Sequence, residues 1–325
     1  MWKRLLCTAF VAYASFSAWA ASSTPDIYPS KPIRLIVGFP PGGADDAVAR
    51  VIAPKVAERL GQTVIVDNRP GAAGNVGTEI AARANADGYT LLLMGSITLA
   101  SSPGLYPRLG YDALRDFSYI SFVGSFPQVL VAHPSVPSRS FPEFVALARS
   151  KPKGIRYGSG GVASTGHLAM ELLQRVAGIE LLHVPYKGAG PALIGVAGGE
   201  TQIAFAGTGG AIPLIKAKRL NALAVTSAKR SAAAPEVPTV AESGFPGFNV
   251  TNTLGILAPT GASTKVVKLI NSELRSIVQM EDVKEKLAAQ GVDAVGSTPA
   301  EFRSFVAAEL SQWSRVIKDA RITVN

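Results

Sequence analysis

The sequence predicts an α/β protein built on largely parallel sheet, and three observations carry that prediction. Two series of short apolar segments, one from Ile33 and one from Val129, alternate with stretches of helical periodicity. Their strands are apolar without alternation, as strands are when crossover helices cover both faces of a parallel sheet. With 325 residues and 47% hydrophobic content, the chain can bury a large core and exceeds the usual size of one domain.

The chain opens with Lys3 and Arg4, an apolar run from Leu5 to Trp19 and the small-x-small triplet Ala18-Trp-Ala20. This is the pattern of a secretory signal peptide over residues 1–20, cleaved after Ala20, and places the protein in the periplasm. The run is short for a membrane span. The only cysteine, Cys7, lies within the peptide, so the mature chain is expected to have neither disulfide nor thiol chemistry.

In the first series, Ile33–Val37, Val64–Val66 and Thr90–Met94 read as strands. Val48, Ile52 and Val56 recur every four residues on a helix that ends near Gly61. In the second series, Val129–Ala132, Leu181–Val184, Thr201–Phe205 and Ala222–Val225 read as strands, and Ile155-Arg-Tyr157 as a strand end. Helices are expected to begin near Ser140, with Glu143 completing a capping box, and near Ser164 and Ala189. After Pro259, Ser263 or Thr264 caps a helix bearing Val267, Ile270, Leu274 and Ile277. Thr298-Pro-Ala-Glu301 is a capping box opening a long helix whose apolar stripe runs from Phe302 to Ile317 and reads as core. Right-handed crossovers would gather the glycine-rich loops beyond the C-terminal ends of the strands.

Two of those loops are candidate sites. Gly158–His167 has glycines, Ser164 and Thr165 at the start of a helix, with no acid before Glu171. Backbone N–H groups and the positive end of the helix dipole suit a carboxylate there, and Gly166 would let it approach closely. Ser164 or Thr165 would equally serve as an ordinary N-cap. A nucleotide P-loop fails, because His167 and Leu168 stand where Lys and Ser/Thr are required. The loop at 38–46 carries Asp45 and Asp46 in the first turn of its helix, where carboxylates satisfy free N–H groups. Asp45 could instead face a ligand amine or hydroxyl.

Other classes find little support. The chain lacks a Gly-x-Ser-x-Gly elbow and His-Glu-x-x-His, and its three histidines lack metal-pair spacing. His133 reads as a strand-end residue and His183 as a hydrogen-bonded core histidine. His167, kept neutral by the helix end, has the one plausible ligand role. Gly71, Gly74 and Gly77 make a packing turn rather than a dinucleotide fingerprint. Neither metal nor cofactor is expected. Without Lys3 and Arg4 the formal charge falls from +9 to +7, and its scattered basic residues do not suggest a nucleic-acid groove.

Further segments carry a resemblance. Tyr28-Pro-Ser-Lys-Pro-Ile-Arg34, Pro40-Pro-Gly-Gly43 with Asp46, Asn68-Arg-Pro-Gly71 and Asp87-Gly-Tyr-Thr90 are similar to the Bug family. So are Tyr157-Gly-Ser159 with Ser164 and His167, His183-Val-Pro-Tyr-Lys-Gly188, Val237-Pro-Thr-Val-Ala-Glu242 and Leu257-Ala-Pro259. These are the extracytoplasmic solute receptors of tripartite tricarboxylate transporters, and the resemblance covers essentially the whole mature chain.

It implies a non-catalytic receptor with a two-lobed, Venus-flytrap, type II-like fold, each lobe a mostly parallel sheet flanked by helices. Lobe one would comprise residues 25–126 plus 251–325, and lobe two residues 127–250. A small carboxylate would lie between them, for delivery by a monomeric receptor to membrane permease subunits. The implied contacts are Phe39, Pro40, Gly42 and Gly43 with Asp45 and Asp46 in the first loop, and Gly95 and Ser96 after the third strand. In lobe two they are Ser164, Thr165, Gly166 and His167, then Ala206, Gly207 and Thr208. Asp45 stands where a small or hydroxyl residue is common, and Ala206-Gly-Thr208 where Asp-Asn often occurs. Either departure would alter ligand preference. An exported hydrolase or lyase, or a ligand sensor for a membrane kinase, is the alternative.

Overall fold

The computed structural model describes residues 28–231 and 233–323. The expected signal peptide and its cleavage site lie outside them. In chain order the elements begin β1 (Ile33–Val37), α1 (Ala44–Leu60), β2 (Val64–Asn68), α2 (Asn75–Ala82), β3 (Thr90–Gly95), α3 (Ser96–Leu105) and β4 (Phe117–Ala132). Next come α4 (Phe141–Ser150), β5 (Arg156–Ser159), α5 (Thr165–Ala177), β6 (Leu182–Pro185), α6 (Ala189–Ala197), β7 (Ile203–Gly207), α7 (Thr208–Lys216) and β8 (Asn221–Val225). The chain closes with β9 (Thr251–Pro259), α8 (Thr264–Ile277), α9 (Glu281–Ala288) and α10 (Pro299–Ala320).

The strands form two five-stranded ladders that share β4. The first runs β2-β1-β3-β9-β4 and the second β8-β4-β7-β5-β6. β1 pairs in parallel with β2 and β3, and β5 with β6 and β7, as the two crossover series predict. β9 is antiparallel to both its neighbours in the first ladder, and β4 to both its neighbours in the second. Four of five strands in each ladder therefore run the same way, and the reversed one arrives from the other half.

β4 extends well beyond the four residues its apolar run predicts. Its first part pairs with β9 as far as Pro127↔Thr251, and Gln128–Ala132 then pair with β7. A proline inside an apolar run argues against a central strand, because it cannot donate to the ladder. Here Pro127 sits where one ladder hands over to the next, so the missing N–H coincides with a change of partner.

Local signals set several element ends. Gly61 ends α1 with φ 68°, a left-handed conformation that glycine adopts without a Cβ clash. Ser263 caps α8, accepting from the Val266 N–H at 3.2 Å. Thr298 and Glu301 form the expected reciprocal box at α10. At α4, Ser140 accepts from the Glu143 N–H, but the Glu143 carboxylate takes the Arg139 N–H rather than that of Ser140. The apolar stripe of α10 is core, shared by two clusters. Phe302 and Val306 pack with β3, β4 and β9 residues, whereas Trp313, Val316 and Ile317 join Leu168 and Leu173 of α5 and Phe141 and Phe144 of α4. One helix thus ties the two halves together.

Candidate functional site

β1, β3 and β7 each end on a glycine-containing turn into a helix, and the crossovers bring some of these turns together. Gly42, Gly43 and Ala44 at the start of α1 face Ala189 and Gly190 of α6 and Thr208–Gly210 of α7 across a cleft of about 340 Å³. Phe126, at the end of the β4–β9 ladder, and Gln290-Gly291, after α9, complete its walls. That volume suits a small metabolite. No charged residue lines it. Its polarity comes from helix ends: α1, α6 and α7 have Gly43, Gly188 and Gly207 as N-caps, and no side chain caps any of the three. First-turn N–H groups have no intrahelical acceptor, and each helix end carries a partial positive charge. Three such ends around one uncharged cleft supply the chemistry that favours an anion.

Across this cleft the two halves touch. The Thr208 hydroxyl donates to the Gly291 carbonyl at 2.9 Å. A Cβ on Gly209 would overlap the Gln290 carbonyl, so only glycine allows this approach.

The first loop is held by Asp46. Its carboxylate accepts from the Gly42 N–H (2.9 Å), Arg50 Nε (2.9 Å) and Asn68 Nδ2 (3.0 Å). Burial pushes its pKa up, but these donors hold it below the usual carboxylate value. Asn68 also donates to the Phe39 carbonyl at 2.9 Å, while the Phe39 ring packs over Gly74. Pro40 is exposed beside them. Asp45 is 7% exposed, and its Oδ2 has no hydrogen-bond partner. Burial, only partly offset by its own N–H, pushes its pKa up to about 7.

The loop expected to cradle a carboxylate stands further back. Ser164 serves as the N-cap of α5, accepting from the His167 N–H at 3.4 Å. Thr165, next to it, is half-buried. Gly166 packs closely on protein backbone, since a Cβ there would lie 2.6 Å from the Phe205 carbonyl oxygen. The His167 ring is buried, accepts from the Ala163 N–H at 3.3 Å and lies 4.3 Å from the His183 ring. Burial, then the neighbouring His183, lowers its pKa to about 3. A neutral, inward-turned ring supports the loop and offers no charge to an anion. Gly160 lies against the start of α6, so this loop buttresses the helix end that lines the cleft.

Ser96, at the start of α3, donates to Glu309 of α10 at 3.2 Å, and the Trp313 indole N–H reaches the same carboxylate at 3.4 Å. Burial raises Glu309 to about 7, with Trp313 and Ser96 partly opposing the rise. The unfolded chain would titrate near the ordinary value of about 4.3. Between those values the folded state binds more protons, so this stabilisation is complete below about pH 4 and is lost as pH rises through 7. Glu309→Gln should remove that slope. Unfolding free energies from urea denaturation at pH 4.5 and 8 are expected to differ less in the mutant, by on the order of 2 kcal/mol. Equal differences in the two proteins would place the titration elsewhere.

Residues 48–322 match the family described as tripartite tricarboxylate transporter family receptor. The chain belongs to that family. The receptor is 38% identical over 311 residues to protein BugT of Bordetella pertussis, covering 95% of this chain and 94% of that one. Among solved structures it is similar to R. palustris Rpa4515 with adipate, with TM-score 0.84, 32% identity and coverage of 91% of this chain and 100% of the other. It is also similar to MatC from Rhodopseudomonas palustris with bound malate, with TM-score 0.80, 28% identity and coverage of 89% and 100%. The receptor thus has the two-lobed fold of periplasmic solute-binding proteins, as the sequence predicts.

Of the expected contacts, the structure brings Gly42, Gly43, Ala206, Gly207 and Thr208 of the receptor to one cleft. Gly95 is packed on the Asn252 amide. The cleft is also lined by Ala44, Phe126, Ala189, Gly190, Leu193, Gly209, Gly210, Gln290 and Gly291, which sequence reasoning did not single out. The signal for the helix starts was present: Gly188-Ala-Gly190 and Gly207-Thr-Gly-Gly210 each follow a strand and hold small residues without an acid. Gln290-Gly291 follows a helix on the opposite side and carries no such signal.

Proposed function

We propose that this receptor captures a small carboxylate between its lobes in the periplasm and presents it to membrane permease subunits. It would act by binding rather than catalysis, as a monomer, after loss of residues 1–20. One observation carries the reading: three uncapped helix N-termini converge on a cleft lined by no charged side chain. The adipate and malate named for the similar structures favour the same ligand class. We place the lobe boundaries at 25–126 plus 251–325 and at 127–250, supported by the change of ladder at Pro127↔Thr251. On that division Gly42–Ala44 and Gln290-Gly291 belong to lobe one, and the α6 and α7 ends to lobe two.

Calorimetry against mono- and dicarboxylates of three to six carbons tests this. Gly190 has nothing within 4 Å of an added Cβ, so Gly190→Asp fits without a clash. An acid in the first turn supports the helix but repels an anion at its end. The mutant should keep its unfolding midpoint and bind its best carboxylate at least tenfold more weakly, equivalent to about 1.4 kcal/mol or more. Undiminished affinity in the mutant would remove the α6 end from the site. Turnover of any member of the panel would overturn the receptor-only role.

A further inference from the structure

Among the described residues, two of the buried polar side-chain atoms without a partner are Asp45 Oδ2, in the first turn of α1, and Asn252 Oδ1, near the start of β9. Asp45 starts the stripe of α1 that continues through Val48, Ala49 and Ile52, so its side chain points inward with theirs. Those three share a cluster with Phe126, and Phe126 is both a wall of the cleft and the register partner of Asn252. Asp45 thus follows Ala44 of the cleft wall and Asn252 pairs with Phe126, so both unpartnered acceptors belong to residues that adjoin the lining of the cleft. Asp46 already holds this loop by accepting from the Gly42 N–H, Asn68 and Arg50, so those bonds do not depend on Asp45. No cation pairs with Asp45 among the described residues.

A buried carboxylate oxygen without a donor is costly, and native proteins keep few such groups without a functional reason. An ionised carboxylate only accepts hydrogen bonds, as does an amide oxygen. Resting on the carboxylate reading above, we propose that Asp45, assisted by Asn252, selects solutes that carry an ammonium or hydroxyl donor beside the carboxylate. The helix ends would take the anionic group and Asp45 the donor. Both an α-amino and an α-hydroxy acid have that chemistry, and the variants below separate them.

The test uses the same acids, each with its 2-amino and 2-hydroxy derivative, titrated into wild type, Asp45→Thr and Asp45→Asn. In wild type a donor-bearing derivative should bind at least tenfold more tightly than its unsubstituted parent. Asp45→Thr should bring that ratio close to one. Asp45→Asn keeps the shape and an acceptor oxygen but no charge, so a hydroxyl preference should survive it and an ammonium preference should not. Ratios are read within each variant, so a general loss of affinity cannot imitate the effect. Parents that bind wild type as tightly as their derivatives, or an unchanged ratio in both variants, would overturn the inference while leaving carboxylate capture intact. Binding of none of these acids would overturn both.

Discussion

Gly209→Ala should bind the receptor's solute at least tenfold more weakly while unfolding at the same denaturant concentration as wild type or a higher one. The two effects come from different places. Within α7 the exchange is favourable, since alanine is up to about 1 kcal/mol better than glycine in a helix. Across the cleft the added Cβ meets the Gln290 carbonyl, a backbone group that cannot swing aside like a flexible side chain. The Thr208–Gly291 hydrogen bond and its surrounding backbone contacts would be held apart. A solute gripped by α1 on one side and by α6 and α7 on the other would then lose contacts to one side. A two-state receptor responds to ligand only through differential contacts with its open and closed forms. Calorimetry supplies the affinity and small-angle scattering the compaction on adding solute. Wild-type affinity together with wild-type compaction would show that the bound state does not use this contact.

Trp313→Ala should cost roughly 3–5 kcal/mol of stability, the usual range for truncating a fully buried aromatic residue. Trp313 is 0% exposed and stands where α10 passes from the core of the first ladder to that of the second. Its neighbours in the cluster come from α3, α4 and α5, so the lost volume would open between elements rather than within one. The indole N–H also donates to Glu309, which would keep only the Ser96 hydroxyl. Trp313→Phe retains most of the volume and should lose far less, which keeps the comparison readable if the alanine variant folds poorly. Urea denaturation of all three proteins decides it. A loss below about 1 kcal/mol for alanine would mean that the α10 contact is peripheral.

Local sequence determined much of this receptor, because the interactions that write those signals act between near neighbours. The apolar run Ile33–Val37 is β1 to the residue. Gly61 ends α1 and Thr298–Glu301 opens α10, each through contacts within one helical turn. The crossover pattern also required loops to gather at the strands' C-terminal ends. Tertiary structure decided which of them meet. The α7 segment, with Gly209, Gly210 and Pro213, has weak helix propensity, yet it forms a helix where β7 delivers it. Ser164, Gly166 and His167 carry every local mark of an anion cradle. Strand order sets their helix against the Phe205 backbone and turns the ring inward, which those local marks do not specify. Gly42, Gly190, Gly209 and Gln290 are scattered through the chain, and only the β4–β9 crossing puts them around one cleft. A cap or a periodic stripe depends on residues a few positions apart and can be read from them. Convergence of helix ends depends on ladder order and register, which no single segment specifies.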